Sequence, residues 1–407
     1  MADDQAPPLR VDAAALLAEV QQFQQRLAQG VGLLRDLGPV AVAATPRAAI
    51  YREDKLTLYH YRPETPRPGL GPLLIVYALV NRPTMTDLQP DRSLIRGLLA
   101  AGLEVYLVDW GYPDADDRGL TLDHYVNGYL DRCVDRVAAR HAGAPLNLLG
   151  ICQGGTLSLC YAALHPERVA RLVTMVTPVD FHTPDNLLGT WVRPLDIDLL
   201  VDSLGNIPGE WLNWVFLALK PFRLTGQKYV DLVDLLDDPE AVRNFVRMEQ
   251  WIFDSPDQAG EAFRQFVKEC FQQNALVRGT LELGGRRVDL GRITMPLLNI
   301  YASADHLVPP SASRPLRDLV ASTDYSERVF RGGHIGIYVS ARARRLPAEI
   351  AAWIAERGAD DAVTKVGKGT GKGAGKSAGK SAGKSAGEKS GQGAAKSGRK
   401  RAGRKAP

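Results

Sequence analysis

Residues 146–155 read Leu-Asn-Leu-Leu-Gly-Ile-Cys-Gln-Gly-Gly. An apolar run ends at Gly150, a single nucleophilic side chain follows at Cys152, and Gly154 and Gly155 come directly after Gln153. The spacing predicts a strand over 145–150 and a helix over 154–164, so Cys152 falls on the bend between them. Larger residues two places either side of the nucleophile would clash with the strand and helix that meet there. The bend aims the side chain off the edge of the sheet. It also sets Cys152 at a helix N-terminus, where the dipole and free N–H groups favour a thiolate. An isolated Gly-x-Cys-x-Gly is more readily a buried cysteine beside tight-turn glycines; the strand before it and the helix after it favour a nucleophile.

Outward from this bend the chain alternates strands and helices. Residues 55–62 alternate like an antiparallel strand. Residues 73–80 (LLIVYALV) form the unbroken apolar run of a strand buried on both faces. A helix is predicted near 93–101, a strand over 103–109, a helix over 121–141 and a strand over 168–176. After a long interruption come a strand at 295–301, a helix near 313–321, a strand at 325–330 and a helix at 348–355. This rhythm specifies a mostly parallel sheet with helices on both faces. With the cysteine bend it resembles the α/β-hydrolase fold, whose nucleophile sits on such an elbow. The interruption, about 180–291, is patterned as helices and carries Trp191, Trp211, Trp214, Phe216, Phe222, Trp251 and Phe253, and is expected to be a helical cap over the sheet.

The catalytic domain is thus expected over 46–358. Ahead of it, residues 1–45 hold an amphipathic helix with Leu16, Val20, Phe23 and Leu27 on one face, either packed on the body or presented to a partner. Behind it, residues 359–407 are low in complexity, with a Lys-Ser-Ala-Gly repeat that has no apolar groups to bury and is expected to stay disordered. From Lys365 onward ten Lys and three Arg face one Glu, a formal +12 that leaves −8 on the rest of a chain whose total is +4. The basic tail reads as a solubilising linker or as a contact for nucleic acid or another polyanion.

Apolar residues make up 45% and charged residues 24%, ordinary for a globular protein of 407 residues. Cys133, Cys152, Cys160 and Cys270 form no Cys-x-x-Cys pair, which argues against a zinc knuckle or a dithiol motif. No export signal and no apolar stretch long enough for a membrane span is evident, so a cytoplasmic protein is expected. No metal or cofactor is expected.

A fold of this kind supplies its triad in the order nucleophile, acid, histidine. Asp305 follows the apolar strand in PLLNIYASADHLVPP. His334 follows the last strand in RVFRGGHIGIY. Both loops fall at the carboxyl edge of the sheet, where sites of α/β proteins form. His334 is expected to move the protons and Asp305 to hold its tautomer. The oxyanion site is expected from the N–H of Gln153 and that of Val80, with Asn81 close behind. His306 adjoins Asp305 and is less suited, since loop neighbours rarely share one relay. His60, His124, His141, His165 and His182 are expected to pack or face solvent. Cys133, Cys160 and Cys270 read as small hydrophobes.

From roughly Arg47 to Glu356 the chain resembles the catalytic subunit of two-component (class III) polyhydroxyalkanoate synthases. The likeness lies in LLIVYALVNRPTMTDLQPDRS, VYLVDWGYPDADDR, NLLGICQGG, LVTMVTPVDFHTPDNLL, WIFDSPDQAGEAFRQF, DHLVPP and GGHIGIYVS. It implies an acyltransferase that polymerises (R)-3-hydroxyacyl-CoA, mainly 3-hydroxybutyryl-CoA, through an acyl group on Cys152, with CoA thioester as substrate. It further implies His334 as base and Asp305 as acid, leaving open which of them activates the attacking hydroxyl. A separate E subunit, a homodimer or hetero-oligomer, and a polyester granule surface are the implied partners. Thr84 stands where an aromatic is expected in Asn-Arg-Pro-x-Met-Thr-Asp, which points to an altered pocket mouth. A cysteine-dependent hydrolase of thioesters or lactones and a non-catalytic granule scaffold are the rival readings.

Overall fold

The computed structural model describes residues 40–369 and eight helical positions between 14 and 25; side chains at 223–225 and beyond 358 are not described. The chain divides into two compact units, 1–362 and 363–407, and every side chain named below belongs to the first. Leu16, Val20, Phe23 and Leu27 lie outside the described residues, as do residues 370–407 of the expected tail.

Strands β1 (Ala48–Glu53), β2 (Leu56–Tyr61), β3 (Leu73–Val76), β4 (Val105–Asp109), β5 (Leu146–Ile151) and β6 (Val169–Met175) come first. A short hairpin, β7 (Glu282–Leu283) and β8 (Arg286–Arg287), precedes β9 (Leu297–Ala302) and β10 (Tyr325–Phe330). Eight of these form one sheet in the order β1-β2-β4-β3-β5-β6-β9-β10. β1 and β2 run antiparallel, and β4 onward is parallel. Neighbouring strand residues feed opposite cores. Leu74, Val76 and Leu148 join one buried cluster, whereas Leu73, Ile75, Leu149 and Ile151 join the other. Burial on both faces is why these strands read as continuous apolar runs.

Helices α1 (Leu94–Ala100), α2 (Asp131–Arg140) and α3 (Gln153–Leu164) cover the sheet. The Ser93 side chain caps α1 by accepting from the Arg96 N–H, satisfying an amide that the helix itself cannot. Three expectations shift. β3 stops at Val76 rather than at 80, because Tyr77–Asn81 turn away as a loop. The helix expected near 313–321 is two turns, Pro310–Ser313 and Leu316–Leu319, since Pro315 cannot continue the first. The last helix, Leu346–Gly369, runs past the expected tail boundary at 359.

Between β6 and β9 lie α4 (Ile197–Leu204), α5 (Gly209–Ala218), α6 (Pro239–Phe253) and α7 (Gly260–Phe266), among shorter turns. This insertion is not helical throughout, for it ends in the β7–β8 hairpin. From Ala259 onward most of its buried apolar side chains, including Phe266, Leu276, Leu283, Val288 and Ile293, belong to the same buried cluster as α3, while Val267 joins Ile197, Val201 and Ile207. Residues 259–293 are therefore part of the body. The outlying piece is shorter than expected, because helical periodicity marks an apolar face without saying what that face packs against.

Candidate active site

Each parallel strand delivers its carboxyl end to one edge, and the strand order turns back at β3 and β5. β3 is followed in sequence by β4 on one side, while β5 lies on the other. Such a reversal leaves a crevice where ligands bind. Val76 pairs with Gly150 in register, so the loop after β3 and the bend after β5 are adjacent.

Cys152 occupies that bend with φ 54° and ψ −127°, a conformation that L-residues rarely adopt. The strain is held from both sides: the Cys152 N–H donates to Met175 O at 2.9 Å, and the Cys152 carbonyl accepts from the Gly155 N–H at 2.9 Å. A Cβ on Gly154 would run into the carbonyl oxygens of Val76 and Tyr77, and one on Gly150 into Ser158 and the Gly155 backbone. Asn81 (φ 58°) and Val176 (φ 46°) share the positive-φ region. Three strained non-glycine residues thus sit just beyond β3, β5 and β6, a concentration typical of functional sites.

Asp305 follows β9 and is buried. Its Oδ1 accepts from the N–H groups of Leu307 and Val308, each at 2.9 Å, which fixes the carboxylate. Its Oδ2 accepts from His334 Nδ1 at 2.7 Å. His334, also buried, comes from the loop after β10. The two loops are stitched by Ser303 N–H to Phe330 O and Ala304 N–H to Gly332 O, both 2.8 Å. The Cys152 side chain also acts electrostatically on this imidazole. With Nδ1 committed to Asp305, Nε2 is the nitrogen left for the sulfur. Burial by itself would lower the histidine pKa. The influence of Asp305, and after it that of Cys152, outweighs burial and holds His334 well above its ordinary value. Such a relay can generate a thiolate, accept an acyl group on sulfur and return a proton to a leaving group.

The other cysteines differ in kind. Cys133, Cys160 and Cys270 are fully buried, and burial pushes the first two thiols up to about 12 and the third well above its ordinary value. Cys152 alone among the four is not fully buried. His306 is half-buried beside Asp305, whose Oδ2 accepts from His334. Elsewhere His60 bonds Glu104, His124 bonds Thr121, His141 bonds Tyr106, His165 bonds Asn127 and His182 bonds the Phe271 carbonyl. Among the described residues no cluster of His, Cys, Asp or Glu could hold a metal ion, and no helix is long and apolar enough to cross a membrane.

Gln153 heads α3, where the first N–H groups have no partner within the helix. Its side-chain Oε1 accepts from the Leu79 N–H at 3.0 Å, which leaves Val80 as the next amide along the bend. Val80 and Cys152 pack against the same apolar cluster. Sequence reasoning did not foresee how the insertion grips this loop. Asn81 Nδ2 donates to Ser255 Oγ at 2.7 Å, Gln258 Nε2 to Leu79 O at 2.8 Å and Trp251 Nε1 to Arg82 O at 2.8 Å. Arg82 in turn pairs with Asp109 at 2.7 Å and lies over the Tyr112 ring. Thr84 is half-buried in the turn Pro83–Asp87 that follows.

Comparison with known proteins gives this geometry a family. Residues 71–341 match the α/β hydrolase fold, and residues 35–98 match the poly-beta-hydroxybutyrate polymerase (PhaC) N-terminus. The chain is 59% identical to the poly(3-hydroxyalkanoate) polymerase subunit PhaC of Allochromatium vinosum, across 86% of this chain and 99% of that one. It is 56% identical to the subunit of the same name from Thiocystis violacea, over the same shares. With the Synechocystis sp. subunit it shares 50% identity, over 84% of this chain and 93% of that one. The chain belongs to the PhaC family of poly(3-hydroxyalkanoate) polymerases, built on the α/β-hydrolase fold.

Proposed function

We propose that this chain is the catalytic subunit of a two-component, class III polymerase that joins (R)-3-hydroxyacyl groups from CoA thioesters into polyester. The observation that carries the mechanism is the Asp305–His334 bond of 2.7 Å, on an imidazole that is also influenced by Cys152, the one incompletely buried cysteine. The Cys152 thiolate attacks the thioester carbonyl, the C–S bond to CoA breaks, and CoA leaves as the thiol with a proton from His334. One thioester replaces another, so the step is nearly balanced in free energy. The 3-hydroxyl of a second unit then attacks the acyl-Cys152 carbonyl as His334 takes its proton. An ester forms, the acyl–sulfur bond breaks and Cys152 is freed. The amides of Gln153 and Val80 hold the oxyanion of both steps. No cofactor is required.

Hydrolysis needs water at the acyl-cysteine. The outlying insertion, clamped over residues 79–82, acts as a cap that keeps water away and favours transfer to a hydroxyl. Supplied with 3-hydroxybutyryl-CoA and co-expressed E subunit, the chain is expected to give insoluble polyester with one CoA released per unit. Free 3-hydroxybutyrate as the main product would replace this reading with a cysteine hydrolase.

The insertion exposes Trp211, Trp214, Phe222 and Phe253, with Phe222 90% accessible. Apolar groups in this number mark a contact surface, which we assign to the E subunit, to a second copy or to the polymer granule in the cytoplasm. The basic stretch from 365 onward is suited to a polyanion such as DNA. Deleting residues 365–407 should weaken salt-sensitive DNA retention while polymerisation continues; unchanged retention would remove that assignment.

A further inference from the structure

Tyr338 is buried, yet its hydroxyl has no hydrogen-bond partner. Three other buried tyrosines are paired: Tyr106 donates to Glu104, Tyr161 donates to Asp131 and Tyr61 accepts from Arg47. Leaving a buried hydroxyl unpaired is unfavourable, and a phenylalanine of the same shape would remove the cost. Tyr338 lies four residues after His334, on the single turn Gly336–Val339. Its ring shares an apolar cluster with Tyr77, against which Cys152, Val80 and Ile335 pack. Beyond burial, Tyr77 and then Cys152 and Asp305 act electrostatically on its hydroxyl.

The phenol remains protonated, since burial first and then its neighbours raise it well above its ordinary value. It is therefore a donor awaiting an acceptor. An acyl group on Cys152 offers two kinds of oxygen. The carbonyl oxygen goes to the oxyanion amides of Gln153 and Val80. The other is the 3-oxygen, two carbons further out, a hydroxyl in a single unit and an ester oxygen in a growing chain.

We propose that the Tyr338 hydroxyl binds the 3-oxygen of the acyl group carried on Cys152 and so makes the site select 3-hydroxyacyl over unsubstituted acyl thioesters. This rests on the acyl-Cys152 reading above. A site built to hydrogen-bond a substrate oxygen rejects an analogue lacking it, because the site's own polar group is then left buried and unpaired. Tyr338 would act by touching substrate, whereas His334 and Cys152 do the bond making.

The test uses the full-length chain and the burst of CoA released on acylation, with 3-hydroxybutyryl-CoA and butyryl-CoA as the two probes. Tyr338→Phe is expected to lower the ratio of the two burst rates by about tenfold or more, with a thermal midpoint unchanged or raised. A wild-type ratio in Tyr338→Phe overturns the assignment. So does an equal slowing of both probes with a lowered midpoint, the mark of a purely structural role. Cys152→Ala, run in parallel, separates the two levels. If it keeps the burst, the acyl-Cys152 reading itself fails. If it loses the burst while Tyr338→Phe keeps the wild-type ratio, only the Tyr338 assignment fails.

Discussion

Cys152→Ala is expected to release CoA from 3-hydroxybutyryl-CoA at least about 10⁴-fold more slowly than the unmodified chain, since covalent catalysis ends with the sulfur. The loss should be chemical and not structural. Alanine keeps the Cβ that the strained bend already accommodates at φ 54°, and Cys152 is only partly buried, so little packing disappears. The backbone bonds to Met175 and Gly155 that hold the bend involve no side chain. Circular dichroism and the unfolding midpoint should therefore match the parent chain. Appreciable turnover by a folded Cys152→Ala protein would show that acyl transfer passes through another group.

Asp305→Asn is expected to cost roughly 10²–10⁴ in CoA release, by letting the imidazole adopt the wrong tautomer. The buried carboxylate now accepts from His334 Nδ1; an amide at that place can turn its NH₂ toward the ring and reverse the donor. The pH profile gives a second reading. His334 is raised by Asp305 and by Cys152 against the lowering effect of burial. Removing Asp305 takes away the first of the raising influences, so the histidine pKa falls. The imidazolium that protonates departing CoA is then lost at lower pH, and the alkaline limb of the rate profile moves to the acid side. Because the two residues act as one relay, Asp305→Asn combined with His334→Gln should be little worse than His334→Gln alone. Additive losses, or an unmoved alkaline limb, would mean that the pair does not work as a unit.

Much of this was legible in the chain, for reasons that can be named. LNLLGICQGG announces its bend because only glycine fits at 150 and 154, where any Cβ meets backbone or Ser158. The inner parallel strands β3, β4 and β5 are legible because both faces are buried, which favours apolar runs. The same rule misled at 77–80. There the apolar run continues past the strand into the loop beside Cys152, and hydropathy does not separate a core strand from an apolar loop. It misled again after Ala259, where the chain rejoins the body while its pattern stays helical.

The sequence by itself determined the order of the relay and its candidate members, Cys152, Asp305 and His334, because each follows a strand that must end at the same edge. It also determined the family, through segments too long to coincide by chance. Only the tertiary structure decided that Asp305 turns to His334, that residues 251–258 grip the loop holding Val80, and that the Tyr338 hydroxyl is left unpaired. Each of these depends on distances between segments remote along the chain, set by packing of the whole sheet and its insertion. No local pattern encodes them.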